Sequence, residues 1–189
     1  MKKTLVALGF AAVTMLPAMA TADDYVIDTS GAHASINFKV PHLGYSFIKG
    51  RFNNFDGEFS YDPADVTAST VAVNIDTTSL DSNHAERDKH LRSGDFINAS
   101  KFSSATFKST SVEDNGDGSI TINGDLTLHG KTNPISIAAN FIGAGNDPWG
   151  GYRAGFEGTT RLELKDYDIA VMGPSSYVDL ELHVEGIRK

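Results

Sequence analysis

The segment ITINGDLTL, residues 120–128, alternates apolar and polar side chains at successive positions. Its even-numbered residues are isoleucine, leucine or glycine, and its odd-numbered residues are threonine, asparagine or aspartate. Because successive side chains of a β-strand point to opposite faces, this pattern predicts a strand with one face in an apolar core and the other in water.

The same alternation recurs along most of the chain, and turn-forming sequences such as YDPAD, EDNGDGS, HGKTNP and GAGNDPWGG separate the repeats. The further alternating segments are 36–40, 55–61, 71–75, 105–112, 135–141, 154–164 and 178–186. Eight or so amphipathic strands with short connections predict an antiparallel barrel or sandwich. Strands of about ten residues favour the barrel, in which long strands tilt and close on one another.

The N-terminus has the features of a secretory signal peptide. Lys2 and Lys3 precede an apolar run, residues 4–16, that ends at Pro17 and several small residues. The run is shorter than the ~20 residues that span a bilayer. We predict a signal peptide over residues 1–22, cleaved after Ala22, and a single soluble domain over residues 23–189.

Composition narrows the class of function. The sequence has no cysteine, so an exported protein of this kind must be held by its core rather than by disulfides. Removing Lys2 and Lys3 from 16 basic residues leaves 14 against 24 acidic residues, a net charge of −10. Such a chain is poorly suited to nucleic acid or anionic lipid headgroups. The two lysines, the short apolar run and the absence of cysteine indicate bacterial export, and we expect the periplasm, although composition alone does not separate the periplasm from full secretion.

One segment, NHAERDKHLRSGDF at residues 83–96, departs from the strand pattern. It predicts a short helix over about residues 83–93, with Asn83 and Glu86 as a capping box and Gly94 in the left-handed C-terminal position. Ala85 and Leu91 would form its apolar flank.

The two histidines of this helix do not have the spacing of a metal site. His84 and His90 are six residues apart and would point in different directions, so one ion could not bind both without other ligands. Surface ion pairs within the helix are the better interpretation. We expect no metal and no cofactor.

Strand parity predicts which side chains line the barrel interior. An eight-stranded barrel is either filled by its own side chains or holds one small ligand. Glycines 57, 124, 158 and 186 share the inward parity, where they could serve bends in the wall or leave room for a ligand. The predicted lining comprises Ile36, Phe38, Val40, Phe52, Phe55, Phe59, Val73, Phe107, Ile122, Leu126, Ile137, Phe141, Phe156, Leu162, Leu180 and Leu182.

Several stretches together resemble the YceI-like family of exported bacterial proteins. They are residues 25–59, 77–112, 124–135 and 146–157, and the resemblance covers the chain from Tyr25 to about Ile187. It implies a lipocalin-like eight-stranded antiparallel barrel with an apolar pocket for a polyisoprenoid, an isoprenoid quinone or a fatty amide, and in some members a link to base or osmotic stress.

The resemblance also implies positions for particular residues. The helix would lie over or beside the barrel, and residues 40–47 would lie near the pocket. The residues that match the family's helix motif, with packing more than chemical roles, are Arg87, Asp88, His90, Leu91, Asp95 and Phe96. The predicted pocket-mouth residues are His42, Arg87, His90, Leu91 and Phe96.

Three functions remain open at this point. The leading hypothesis is a periplasmic carrier or binding protein for a long apolar chain, which is not an enzyme. The second is a quinone-delivering partner of a membrane cytochrome b561-type protein. The third is a lipid hydrolase or isomerase that uses His42, His84 or His90 as an acid or base. A homodimer is compatible with each of them.

Overall fold

A computed structural model of the protein describes residues 22–171 and 175–189. The predicted signal peptide, apart from Ala22, and residues 172–174 lie outside these residues. The strands are β1 (Asp23–Ile27), β2 (Ser35–His42), β3 (Ser46–Phe52), β4 (Phe55–Tyr61), β5 (Thr70–Asp76), β6 (Leu80–Asp81), β7 (Ser104–Asp114), β8 (Ser119–Leu128), β9 (Lys131–Asn146), β10 (Tyr152–Glu163) and β11 (Tyr177–Arg188). One α-helix, α1 (Ala85–Leu91), and three short 3-10 helices, Val66–Ala68, Thr77–Ser79 and Leu164–Tyr167, complete the elements.

The strands form one closed antiparallel barrel. Each of β7 to β11 pairs with the strand that follows or precedes it, and β5 pairs with both β4 and β7. The ring closes because β11 pairs with β1 through Ile187 and with β2 through Leu182. Strands β1 and β2 thus act as two halves of one interrupted strand, as do β3 with β4 and β5 with β6. The predicted eight-stranded antiparallel barrel is confirmed.

The barrel has two distinct ends. The connections at residues 62–69, 115–118 and 147–151 lie at one end, which we call the Trp149 end. The hairpin at residues 43–45, the helix α1 and the 3-10 helix Leu164–Tyr167 lie at the other, which we call the α1 end. Within the described residues, none of the helices has both the length and the apolar character needed to cross a bilayer.

The helix α1 occupies residues 85–91, inside the predicted range, but its caps differ from the prediction. Its N-cap is His84, whose Nδ1 accepts a hydrogen bond from the Arg87 backbone N–H at 3.2 Å. Asn83 instead takes a left-handed conformation with φ of 63°, which places it before the helix. At the other end the C-cap is Arg92, so the predicted role of Gly94 was wrong.

Two apolar clusters fill much of the barrel. The larger contains Phe38, Phe107, Leu126, Ile137 and Leu162, with residues from the α1 end packed against it. The smaller lies towards the Trp149 end and is rich in aromatic rings. In it, the rings of Tyr25 and Phe59 stack at 4.8 Å, and Phe156 meets Phe59 edge-on at 5.6 Å.

Two of the inward glycines, Gly124 and Gly186, leave room for aromatic rings of other strands. A Cβ on Gly124 would lie 2.5 Å from Cζ of Phe107, and a Cβ on Gly186 would lie 2.4 Å from Cε1 of Phe59. At these two positions the space left by the missing side chain is occupied by a phenyl ring. The interpretation that such glycines leave room for a ligand is therefore wrong for Gly124 and Gly186.

Candidate functional site

The predicted lining residues fall into three groups by exposure. Phe141 alone is exposed. The buried residues are Ile36, Phe38, Phe59, Phe107, Leu126, Ile137 and Leu162, and the partly buried residues are Val40, Phe52, Phe55, Val73, Ile122, Phe156, Leu180 and Leu182. The inward positions predicted from strand alternation thus carry apolar residues of low exposure in nearly every strand. Their contact with a ligand stays a prediction.

Partial exposure in the middle of the barrel wall identifies the candidate site. Ile122 is partly exposed, although its partners in register, Val112 and Ile137, are both buried. Leu182 is partly exposed between Ile36 and Gly158, which are also buried. Because both side chains share the inward parity, the accessible part of their surface faces the space that the barrel encloses.

Aromatic rings surround the interior at the Trp149 end. Tyr61 stacks on Phe141 with ring centroids 5.4 Å apart, and Phe156 meets both rings at 5.1 and 5.4 Å. Phe141 retains 43% exposure, so it forms a rim between the interior and the solvent. Ile142, the next residue, is displaced outward by a β-bulge in the β9–β10 pairing and is 64% exposed.

At the other end, α1 and the chain that follows it cover the barrel. Leu91 and Phe96, both predicted at the pocket mouth, are partly buried against the larger apolar cluster. His90 lies outside this contact, with its ring edge-on to Phe96 at 4.8 Å and its Nε2 3.4 Å from Asp95. The predicted packing role of Leu91 and Phe96 agrees with these contacts.

Polar contacts hold the start of α1 against the wall. Asp88, only 7% exposed, accepts hydrogen bonds from the Ser82 backbone N–H at 2.8 Å and from the Ser82 hydroxyl. Arg87 donates to the hydroxyl and the carbonyl oxygen of Ser82 at 2.7 and 2.6 Å. Burial acts to raise the pKa of Asp88, but the Ser82 hydrogen bonds outweigh it and the pKa is lowered. Arg87 and Asp88 therefore fasten the helix in place.

The three histidines of the enzyme hypothesis have different surroundings. His42 ends β2 and is exposed beside the hairpin tip, where Leu43 and Tyr45 are 56% and 87% exposed. His84 caps α1, and its Nδ1 is engaged by the backbone of that helix. His90 pairs with a surface aspartate. His84 and His90 each have a local structural role, whereas His42 is simply exposed, and the structure brings none of the three together with another.

A charged cluster near the Trp149 end was not predicted. Asp28, which is 6% exposed, lies 2.7 Å from Nη1 of Arg153 and 2.9 Å from Nδ1 of His33. The same guanidinium binds Asp147 through Nε at 2.8 Å and Glu185 through Nη1 at 2.5 Å. These residues come from three separate segments, and only the DPWGGYR motif, residues 147–153, carried a local signal.

This cluster has the donor set of a cation site, but an arginine already occupies it. The ligand atoms of Asp28, His33 and Glu185 lie within 4.8 Å of one another. The guanidinium of Arg153 binds both carboxylates, and hydrogen bonds from Arg153, His33 and the Gly31 N–H hold the pKa of Asp28 far below its ordinary value. The cluster is therefore a structural clamp that ties the turn after β1 to β10 and β11.

Two grooves lie on the outer surface. One, of about 760 Å³, is lined mainly by charged and polar residues of β2, β3, β10 and β11, and it includes Phe38 and Leu180 from the predicted lining. The other, of about 730 Å³, lies between β6 and α1 and includes His84 and Arg92. The second groove has a mostly polar lining, which does not suit a long apolar chain.

Comparison with known proteins places the chain in a family. A model of the YceI-like domain matches residues 25–186. A UPF0312 protein of Vibrio cholerae serotype O1 is 74% identical over 189 residues, which is the whole of both chains.

Two solved structures share the fold. BcnA of Burkholderia cenocepacia superimposes with a TM-score of 0.75 at 18% identity, over 84% of this chain and 98% of that one. A polyisoprenoid-binding domain of Saccharophagus degradans, implicated in plant cell wall breakdown, superimposes with a TM-score of 0.64 at 13% identity, over 87% and 98% of the two chains.

Proposed function

The chain belongs to the YceI-like family, and from this premise we propose that it binds a long apolar molecule, such as a polyisoprenoid chain, inside its barrel. The observation that carries the proposal is the accessible inward surface of Ile122 and Leu182, each between buried neighbours in register. Apolar surface that water can reach inside a closed wall is stabilised when an apolar ligand covers it.

The energetics allow binding without a strong polar anchor. Each buried CH₂ contributes roughly 0.8 kcal/mol, so about twenty carbons contribute about 16 kcal/mol before costs. Association costs are about 4 to 15 kcal/mol. The difference leaves useful affinity, and specificity for the chain would come from the width of the barrel.

The proposal includes the cellular setting. Lys2, Lys3 and the apolar run at residues 4–16 support export, and we place the protein in the periplasm as a binding or carrier protein, with a stress-linked role as in some members of the family. Delivery of a quinone to a membrane cytochrome is a narrower form of the same proposal. The structural roles of His84 and His90 favour binding over catalysis.

Organic extraction of the purified protein, followed by mass spectrometry, tests the proposal. We expect an apolar molecule in the extract of the wild type. Leu182→Trp, which fills the accessible interior surface, should reduce the extracted amount at least several-fold. Glu181→Trp is the matched control, because Glu181 is the adjacent, outward-facing and exposed residue of the same strand.

Thermal unfolding of both variants separates loss of binding from loss of fold. Equal amounts of extracted ligand from folded Leu182→Trp and wild-type protein would place the ligand outside the barrel. An extract with no apolar molecule, together with no uptake of added isoprenoid by the wild type, would contradict the proposal.

A further inference from the structure

A tyrosine hydroxyl is buried in the apolar cluster without a partner. Within the described residues, two buried side-chain polar atoms lack a hydrogen-bond partner, Oγ of Ser69 and Oη of Tyr167. Tyr167 is 1% exposed and belongs to the larger apolar cluster together with Phe38, Leu126 and Leu162. A buried hydroxyl without an acceptor is destabilising, so such an atom in a native protein needs an explanation.

The backbone around Tyr167 is held firmly, which fixes the position of the ring. His129 Nδ1 lies 2.8 Å from the Tyr167 carbonyl oxygen, and Asn133 donates to the carbonyl oxygen of Asp166 at 2.7 Å. Asp168, left-handed with φ of 53°, pairs with Lys131 at 2.8 Å. These contacts tie the 3-10 helix Leu164–Tyr167 to the β8–β9 hairpin at the α1 end.

We propose that Tyr167 anchors the ligand, a proposal that rests on the binding function proposed above. Its hydroxyl donates a hydrogen bond to a neutral oxygen acceptor at the end of the apolar chain. A quinone or amide carbonyl has this chemistry. The geometry places that head group at the α1 end, next to the 3-10 helix, with the chain extending towards the aromatic rim at Phe141.

The protonation state of the anchor and the charges of the interior favour a neutral head group. Burial raises the pKa of Tyr167 to about 12, so the hydroxyl stays a donor at physiological pH. The buried charged residues of the described chain are Asp28, Asp62 and Asp88, and none is a lysine or arginine. A phosphate or diphosphate in the interior would therefore be buried without a cation, which is strongly unfavourable.

The test uses three probes that differ at the head group and two measurements on folded protein, binding affinity and the infrared carbonyl stretch. The probes are decylubiquinone, which has carbonyl acceptors, decylbenzene, which has none, and farnesyl diphosphate, which is anionic. Binding to the wild type and to Tyr167→Phe is measured by native mass spectrometry with competition at fixed detergent concentration. Tyr61→Phe is the matched control, since Tyr61 is a buried tyrosine at the opposite end of the barrel and is 8% exposed.

We expect Tyr167→Phe to weaken decylubiquinone binding about tenfold, equal to about 1.4 kcal/mol. Decylbenzene binding should be unchanged in both variants, and Tyr61→Phe should bind decylubiquinone like the wild type. The infrared carbonyl stretch of bound decylubiquinone should lie at lower frequency in the wild type than in Tyr167→Phe, because only the wild type supplies the hydrogen bond.

Each of the remaining outcomes would refute a different part of the proposal. Equal decylubiquinone affinity and equal carbonyl frequency in wild type and Tyr167→Phe would refute the anchor while leaving the binding function intact. Equal weakening of decylubiquinone and decylbenzene would show that Tyr167 acts only by packing. Preference for farnesyl diphosphate would refute the neutral head group, and no binding of any probe would refute the proposed function itself.

Discussion

Substitution of Gly124 by alanine tests the packing of the barrel wall. Gly124 is buried in β8, and a Cβ there would lie 2.5 Å from the Lys108 carbonyl oxygen and 2.5 Å from Cζ of Phe107. Phe107 is 6% exposed, and the Lys108 carbonyl belongs to the β7–β8 pairing beside the bulge at residues 109–111. Neither neighbour can withdraw without disturbing the pairing or the core.

The expected magnitude follows from two opposing effects. Overpacking a well-packed site costs about 1–3 kcal/mol. The lower chain entropy of alanine in the unfolded state offsets about 0.4–1 kcal/mol of this cost. We expect a net loss of about 1–2 kcal/mol in the free energy of unfolding. For a chain of this length, that loss lowers the melting temperature by roughly 2–8 °C.

Gly143→Ala is the matched control in the neighbouring strand β9. A Cβ on Gly143 would meet no atom within 4 Å beyond its chain neighbours, and its φ is not in the left-handed range. Urea and thermal denaturation of both variants should show Gly143→Ala within about 0.5 kcal/mol of the wild type. Equal stabilities of Gly124→Ala and Gly143→Ala would refute the conclusion that Gly124 exists to admit the Phe107 ring.

Three further substitutions test polar groups of the barrel. Ser82→Ala removes the hydroxyl donor to buried Asp88 and leaves only the backbone N–H of residue 82, so it should cost about 1–3 kcal/mol of unfolding free energy in urea denaturation. Arg153→Met should destabilise the protein at neutral pH, because the lowered pKa of Asp28 contributes stability that is fully present above the unfolded value of about 3.9 and is lost progressively as the pH falls below it. The stability difference between that variant and the wild type should narrow as the pH falls below about 4. Tyr167→Phe should stabilise the ligand-free protein by about 1 kcal/mol, since it removes an unpaired buried hydroxyl.

Controls for these substitutions are present in the chain. Ser100→Ala removes an exposed hydroxyl just beyond α1 and should change stability by less than about 0.5 kcal/mol. If the difference in unfolding free energy between Arg153→Met and the wild type did not change with pH, the pKa of Asp28 would not depend on the guanidinium of Arg153. A destabilised ligand-free Tyr167→Phe would mean that the hydroxyl already has an acceptor.

The barrel could be predicted from the sequence because strand alternation is a local property. The alternation over residues 120–128 defines two faces within nine residues, and the observed strand β8 covers all of these positions. The alternation changes phase between Phe52 and Phe55, and the structure interrupts the strand there, at Asn53–Asn54. The interruption after β1 was not predicted, and there Asp28 contacts Arg153, a residue far along the chain.

The candidate site was only partly predictable, because alternation is a local property and the site also depends on contacts between residues distant in the chain. Parity identified the inward residues, but it could not show that Phe107 would cover Gly124 and that Ile122 would stay accessible. Tyr167 lies in the short segment LKDY, which has neither strand alternation nor a helix of useful length. Its importance depends on burial and on a missing partner, and no local pattern in the sequence records either.

The three interrupted strands lie next to one another in the barrel, so local opening should differ between the two sides of its wall. On one side, β7, β8, β9 and β10 form an unbroken ladder, whereas the adjoining wall is divided at residues 28–34, 53–54 and 77–79. Amide hydrogens in β8 and β9 should exchange with deuterium most slowly, and those flanking the three breaks should exchange faster through local opening.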